Sequence, residues 1–438
     1  MLEIPAATVQ ALQLSLNQIP SSSPNHAERY FLEKSQRLAV REVLRRSGGV
    51  IHSSVPLPAW RTFQGMPAAD AFDAAWLRLK KSPFGSDAQG ESEVHRVADL
   101  FCGCGGLSLG VGEALRALGK RPDFVFACDI DKAAIDVYEA NFTPRLAVDA
   151  PIEQYIDGKI GATLTPAERA LKRAIGGVDF VIAGPPCQGH SDLNNHTRRD
   201  DPKNKLVTRV TRFVEIFRPA HVLIENVQGI RHDKSGSLQE AKRGLAALGY
   251  SLDEALLRAD EVGAAQTRRR YLLVASRGSV QSLFEVPLLY PGSARPLSWA
   301  IGDLLDLDSQ TVFDTPAKHS SVNKQRIDYL HDHGLYELPD SERPPCHRDG
   351  NHSYKSVYGR MYWDRPAPTI TTGFGSIGQG RFGHPLKRRT LTPHEAARVQ
   401  FFPDFFNFGE RGRRDYQSLI GNAVPSKLAY AVALHQLR

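Results

Sequence analysis

From residue 94 the sequence alternates short apolar runs with longer helical patterns, and the first such unit constrains the fold most. Residues 96–101 read as a strand, Cys102-Gly103-Cys104-Gly105-Gly106 as a glycine-rich turn, and residues 107–118 as a helix opening on it. Such a unit lets a cofactor approach the backbone, as in doubly wound α/β folds. The spacing is not G-x-G-x-x-G and no P-loop lysine follows, so a dinucleotide and ATP are both poor matches. A second strand, 124–128, ends in Asp129-Ile130-Asp131. Asp129 there can accept two ribose hydroxyls or cap the next helix. A third run ends at Asp149.

The fourth strand, 178–183, leads into Gly184-Pro185-Pro186-Cys187-Gln188-Gly189. That places the Cys187 thiol at the carboxyl end of a strand, where open α/β sheets keep their ligand crevice. Cys187 is the candidate nucleophile, although a lone free cysteine is more often a buried hydrophobe. The polar loop after it carries Arg198 and Arg199, suited to phosphates and to closing over substrate. A further strand, 220–224, ends in Glu225-Asn226-Val227, and a carboxylate beside a thiol is an acid/base and nucleophile pairing. Gln266-Thr267-Arg268-Arg269-Arg270 then enters the strand 271–274. Arginines entering a buried strand are costly without acceptors, so Arg268 or Arg270 is expected to face the site.

The 438 residues are 41% hydrophobic and 24% charged, enough for two globular domains and an extension. No apolar run is long enough to span a bilayer and the start lacks a basic-then-apolar leader, so a soluble, cytoplasmic protein is expected. Five cysteines without repeating spacing indicate no disulfide framework, and Cys346, His347 and His352 fit no common zinc site, so no metal is expected. A net charge of +7 is compatible with nucleic acid. Residues 28–46 look helical up to Gly48-Gly49, and 68–81 form a second helical pattern. Arg41, Arg45 and Arg46 then read as a solvated helix face rather than a phosphate site. Residues 291–386 lose the alternation and are rich in Gly, Pro, His and Arg, which suits an irregular nucleic-acid surface. Thr392-Pro393-His394-Glu395 is a capping box that opens a compact helix.

Six stretches, in this order, resemble the DNA cytosine-5 methyltransferase family. They are Phe101 to Gly106, Gly184 to Gln188, Glu225-Asn226-Val227, Gln266 to Arg270, Arg389-Thr390-Leu391-Thr392 through Glu395 to Arg398, and Gly421-Asn422-Ala423-Val424-Pro425. The resemblance covers residues 95–280 and 360–438, and the extension is a departure from the smaller bacterial members. It implies an α/β class I methyltransferase fold, Rossmann-like, that binds S-adenosylmethionine. The catalytic domain would be 95–290, completed by 415–438; residues 291–414 would form the target-recognition domain, and 1–94 a mostly helical extension. Duplex DNA would lie between the domains.

By motif position, Phe101, Cys102, Gly103, Cys104, Gly105, Gly106, Asp129, Ile130, Asp149, Pro185, Asn422, Ala423 and Val424 would line the cofactor. Cys187 would add to cytosine C6, Glu225 would hold N3 and the exocyclic amine, and Arg270 the ring O2, with Arg268 beside it. Asn226 and Gln266 would position these groups, and Ser191, Arg198, Arg199 and Thr371 would meet the DNA around a flipped base. The resemblance further implies a restriction-modification or phage-defence role, with partner proteins meeting the extension of a monomer. A transfer-RNA methyltransferase and a non-catalytic DNA-binding relative remain as alternatives. The long segment before Arg389 and Thr369-Ile370-Thr371-Thr372 speak for DNA, and the intact thiol, glutamate and glycine turn speak for catalysis.

Overall fold

The computed structural model describes residues 28–57, 60–84, 93–186, 206–232, 235–290, 292, 294–348 and 356–438. The chain begins with an antiparallel sheet of β1 (Glu28–Glu33), β2 (Leu38–Leu44) and β3 (Val50–Pro56). This corrects the mostly helical expectation for the extension. Short amphipathic runs fit both periods, and here long-range packing decides for the strand. Gly48 and Gly49, expected to stop a helix, instead take φ of 86° and 89° in the turn between β2 and β3. Next come α1 (Trp60–Phe63) and α2 (Ala68–Leu77), the latter matching the second helical pattern.

The alternating region then delivers β4 (Val94–Leu100), α3 (Gly106–Ala117), β5 (Arg121–Asp129), α4 (Lys132–Phe142) and β6 (Ala147–Asp149). It continues with α5 (Pro166–Ile175), β7 (Phe180–Ala183), α6 (Leu206–Phe217) and β8 (His221–Asn226). Last in the sheet region are α7 (Ser237–Ala247), β9 (Ser251–Arg258) and β10 (Arg269–Ser276). The strands form one seven-stranded sheet in the order β6-β5-β4-β7-β8-β10-β9. Pairing is parallel up to β8, and β10 runs antiparallel to both of its neighbours. Chain order departs in opposite directions from the β4/β7 pair. That topological switch opens a crevice at the carboxyl ends of β4 and β7.

After the sheet come α8 (Leu297–Ile301), α9 (Ser321–Asp332), α10 (Pro393–Val399), α11 (Arg413–Asn422) and α12 (Ser426–Leu437). α10 starts at the expected capping box: Thr392 Oγ1 accepts from the Glu395 amide, and Glu395 accepts from the Thr392 amide. α9 was not expected in the irregular segment. It has only Ile327 and Leu330 buried, in a small separate cluster with Leu338, Val357, Tyr358 and Ile377, too sparse a stripe to stand out. Helices α5, α6 and α7 bury one face of the sheet. The other face packs against α3, α4 and α12, and the same cluster takes in Ala39, Val43, Val55, Phe72, Trp76 and Leu77. Residues 28–84 are thus part of the main core.

Polar contacts follow the same seam. Arg41 is 1% exposed and donates to Glu113 (2.8 Å) in α3 and to the Tyr430 hydroxyl (2.9 Å) in α12. Asp73 pairs at 2.7 Å with both Arg295 and Lys427. Arg45 and Arg46 donate to the carbonyls of Leu118 and His435, at the ends of α3 and α12, where cations offset the helix dipole. The reading of these three arginines as a solvated face is therefore also corrected.

One close approach joins α11 to the segment Thr369-Ile370-Thr371-Thr372. Gly421 lies so near the backbone of Thr371 and Thr372 that a Cβ there would collide with it. Gly421→Ala is expected to destabilise the chain by about 3 kcal/mol, because backbone cannot yield as a side-chain tip does. Urea unfolding measures this.

Candidate active site

The site is built where β4 ends. Phe101 has φ of 63°, a left-handed conformation rare outside glycine, and Gly103 and Gly105 follow at 51° and 94°. A Cβ on Gly105 would run into the Phe142 ring, so the turn lies flush on α4. Asp129 ends β5 and accepts the Gly103 amide at 2.8 Å. The cap of α4 is Asp131, whose carboxylate accepts the Ala133 amide, so Asp129 is not the cap. Burial pushes the Asp129 carboxyl above its ordinary value. Asp149 stands opposite Asp129 in the strand register and is exposed, and Ile130, directly after Asp129, is 69% exposed.

Asn422 is exposed and Ala423 half-buried, while the Val424 carbonyl lies 2.7 Å from where a Gly106 Cβ would be. The expected cofactor residues of the turn, of β5 and β6, and of the segment before α12 thus lie next to one another at the carboxyl edge of the sheet. The features there fit the adenosine and methionine ends of S-adenosylmethionine. Backbone is bare at Gly103, where a Cβ would meet nothing within 4 Å, a carboxylate stands at the strand end, and an exposed aliphatic side chain lies beside it. The thiols of the turn and β5 are buried; burial pushes Cys104 and Cys128 to about 12 and also raises Cys102, so none of the three is a thiolate at neutral pH.

The second half of the site lies across the switch point. Glu225, near the end of β8, meets Arg270 at the start of β10, with Oε1 2.6 Å from Nε. Glu225 is 8% exposed, and its carboxyl is raised because burial outweighs the nearby Arg270 and Arg268. A Cβ on Gly184 would stand 3.6 Å from Glu225 Oε2, 3.7 Å from Leu107 and 3.8 Å from the Phe101 carbonyl. The cysteine motif, the acid and the glycine turn therefore converge. Asn226 donates to the Pro185 carbonyl at 3.2 Å and accepts the Val227 amide, clasping the proline turn just before Cys187. Pro185 is buried. Cys187, Ser191, Arg198 and Arg199 lie outside the described residues.

Arg268 and Gln266 sit at a different junction. Arg268 donates to the carbonyls of Ile370 (2.7 Å) and Gly421 (3.5 Å). Gln266, fully buried, accepts the Ile370 amide at 2.9 Å and donates to Gln400 Oε1 at 2.9 Å. Gln400 in turn donates to the carbonyls of Ile420 and Ala423. This amide chain ties the arginine motif, the threonine segment and the loop before α12 together. Gln400 was missed from sequence, although its place just after the Arg389 to Arg398 motif was a usable signal. Thr371, half-buried on the threonine segment, accepts the Gly373 amide with its hydroxyl.

Residues 95–437 match the model of the C-5 cytosine-specific DNA methylase family. The chain is 55% identical over 399 residues to the Type II methyltransferase M1.BsuMI of Bacillus subtilis, spanning 91% of this chain and 93% of that protein. The Type II methylase M.HgiDII of Herpetosiphon aurantiacus is 30% identical, over 78% of this chain and 94% of its own length. Among solved structures, a methyltransferase encoded within an E. coli prophage is 25% identical with a TM-score of 0.53, covering 78% of this chain and 98% of that one. The S. pombe Dnmt2 methyltransferase, 20% identical with a TM-score of 0.52 over 78% of this chain and 98% of its own, shares the fold. With the motifs assembled around one crevice, these matches make the chain a member of the C-5 cytosine-specific DNA methylase family and a DNA cytosine-5 methyltransferase.

Proposed function

We propose that this chain methylates C5 of a cytosine flipped out of a specific duplex DNA sequence, using S-adenosylmethionine and a covalent bond between Cys187 and C6. The observation that carries the reading is the buried Glu225–Arg270 pair beside the Gly184-Pro185 turn. Cytosine C5 is a weak nucleophile, so a thiolate must first add at C6 to make C5 enamine-like, and Cys187 is the thiol on that turn. Glu225, with its proton favoured by burial, donates to N3 and takes the exocyclic amine, while Arg270 holds O2; both stabilise charge pushed onto the ring. S-adenosylmethionine, held by residues 101–106, Ile130, Asp149, Pro185 and 422–424 with Asp129 on its ribose, supplies an electrophilic methyl group. A water molecule would then take the C5 proton, and the Cys187 thiolate would leave as the C5–C6 double bond re-forms. These atoms cannot be reached inside a stacked duplex, so the base leaves the helix, and Thr371, Ser191, Arg198 and Arg199 hold the backbone around the gap.

The Type II names of the relatives support a role in restriction-modification or phage defence; action on cytoplasmic DNA as a monomer, with any partner protein meeting the extension, belongs to the same proposal. No helix among the described residues is long and apolar enough to cross a membrane. Cys187→Ala is expected to abolish methyl transfer and the covalent complex with a duplex carrying 5-fluorocytosine, with S-adenosylmethionine affinity within about threefold of wild type. Turnover at the wild-type rate would remove the covalent mechanism.

A further inference from the structure

Asp99 lies in β4, two residues before Phe101, and is completely buried. Its Oδ2 is hydrogen-bonded at 2.6 Å to the Ser108 hydroxyl of α3, which is hydrogen-bonded at 2.8 Å to the Tyr138 hydroxyl of α4. Its other oxygen, Oδ1, is buried with no protein donor on it among the described residues. The residues facing Asp99 from the flanking strands, Ala127 and Ile182, are apolar. The titratable groups around it are Asp129 and Cys128 in β5, Cys102 and Cys104 in the turn, and Tyr138 in α4. No cation pairs with it among the described residues.

An ionised carboxylate here would be desolvated without a counter-charge and would repel Asp129. Burial accordingly pushes the Asp99 carboxyl up to about 8. Asp99 Oδ2 accepts the Ser108 hydroxyl, and the Tyr138 hydroxyl can donate to Ser108 in turn, so the hydrogen bonds run in one direction from Tyr138 through Ser108 to Asp99. The chain ends under the glycine turn, because a Cβ on Gly105 would stand 3.1 Å from the Tyr138 ring. It therefore ties β4, α3 and α4 together directly behind the residues that would meet the cofactor.

We propose that Asp99 is a positioning residue for cofactor binding: with Ser108 and Tyr138 it holds the glycine turn in its binding shape. The inference rests on the reading of that turn as the S-adenosylmethionine site. The sign of its pH dependence follows from the folded value lying above the unfolded one. Between about pH 4, the unfolded value, and about pH 8 the native chain holds a proton that the unfolded chain has lost, so this contribution to stability falls as pH rises.

The test is calorimetric titration of the full chain with S-adenosylmethionine from pH 7 to 9, paired with urea unfolding of the ligand-free protein. Wild-type Kd is expected to rise about tenfold by pH 9, as Asp99 ionises. Asp99→Asn, neutral at every pH, is expected to bind within about threefold of wild type at pH 7 and to show neither that rise nor the matching fall in ligand-free stability. Ser108→Ala, which cuts the chain with Asp99 in place, is expected to weaken binding by about tenfold at pH 7. A loss of more than about tenfold in Asp99→Asn at pH 7, or a pH slope equal to wild type, would overturn the inference. A wild-type chain that binds no S-adenosylmethionine at any pH would overturn the cofactor reading instead.

Discussion

Glu225→Gln is expected to slow methyl transfer by about 10²–10³-fold in single turnover, a loss of ~3–4 kcal/mol of transition-state stabilisation. The substitution preserves shape, so DNA and cofactor binding should hold, and the amide oxygen can still meet Arg270 Nε, 2.6 Å from Oε1 in the native chain, but the amide cannot deliver a proton to N3. The pH profile separates this role from a structural one. Burial raises the Glu225 carboxyl, so the protonated, donating form persists to higher pH than for an ordinary glutamate. The wild-type rate should fall as pH climbs through that raised value, and the variant should lack this limb of the profile. A near-native rate in Glu225→Gln would show that the acid lies elsewhere.

Arg41→Met is expected to cost about 3 kcal/mol of stability, at the lower end for breaking a buried ion pair. Met fills much of the space over Phe72, where the guanidinium now sits 4.8 Å from the ring centroid, but it leaves the Tyr430 hydroxyl without its donor. Glu113 keeps Arg116 at 2.8 Å, which limits the loss. Removing residues 28–84 altogether should prevent folding. It would strip Phe72, Trp76 and Leu77 from the main core and leave Lys427 without Asp73. Urea unfolding measures the first change, and solubility with cooperative melting the second. A truncated chain that unfolds cooperatively would show that the extension is separable after all.

What the sequence disclosed follows from how local each signal is. The strands β4, β5, β7, β8 and β10 are short apolar runs closed by glycine, proline or charged residues, and their motifs sit at strand ends, so fold and crevice were both legible. Residues 28–46 were read as helix because local periodicity in such short runs does not choose between helix and strand, and the choice is made by contacts with α3 and α12, far away in sequence. The exposed face expected for Arg41 failed for the same reason. Glu225 and Arg270 could each be assigned to the site from sequence because both belong to strand ends, whereas their mutual contact was not foreseen. The destination of Gln266 and Arg268 was not legible, since their partners Ile370, Gln400 and Gly421 are more than a hundred residues away.

We propose that this chain alone writes 5-methylcytosine in one DNA sequence context. It is tested most directly by base-resolution sequencing of cytosine methylation in DNA from a host that lacks it, after expression of this chain and, in parallel, of Cys187→Ala. A single methylated context is expected with the wild-type chain and none with the variant. Unmodified DNA in cells where the wild-type chain is soluble and binds S-adenosylmethionine, or equal methylation by the variant, would contradict it.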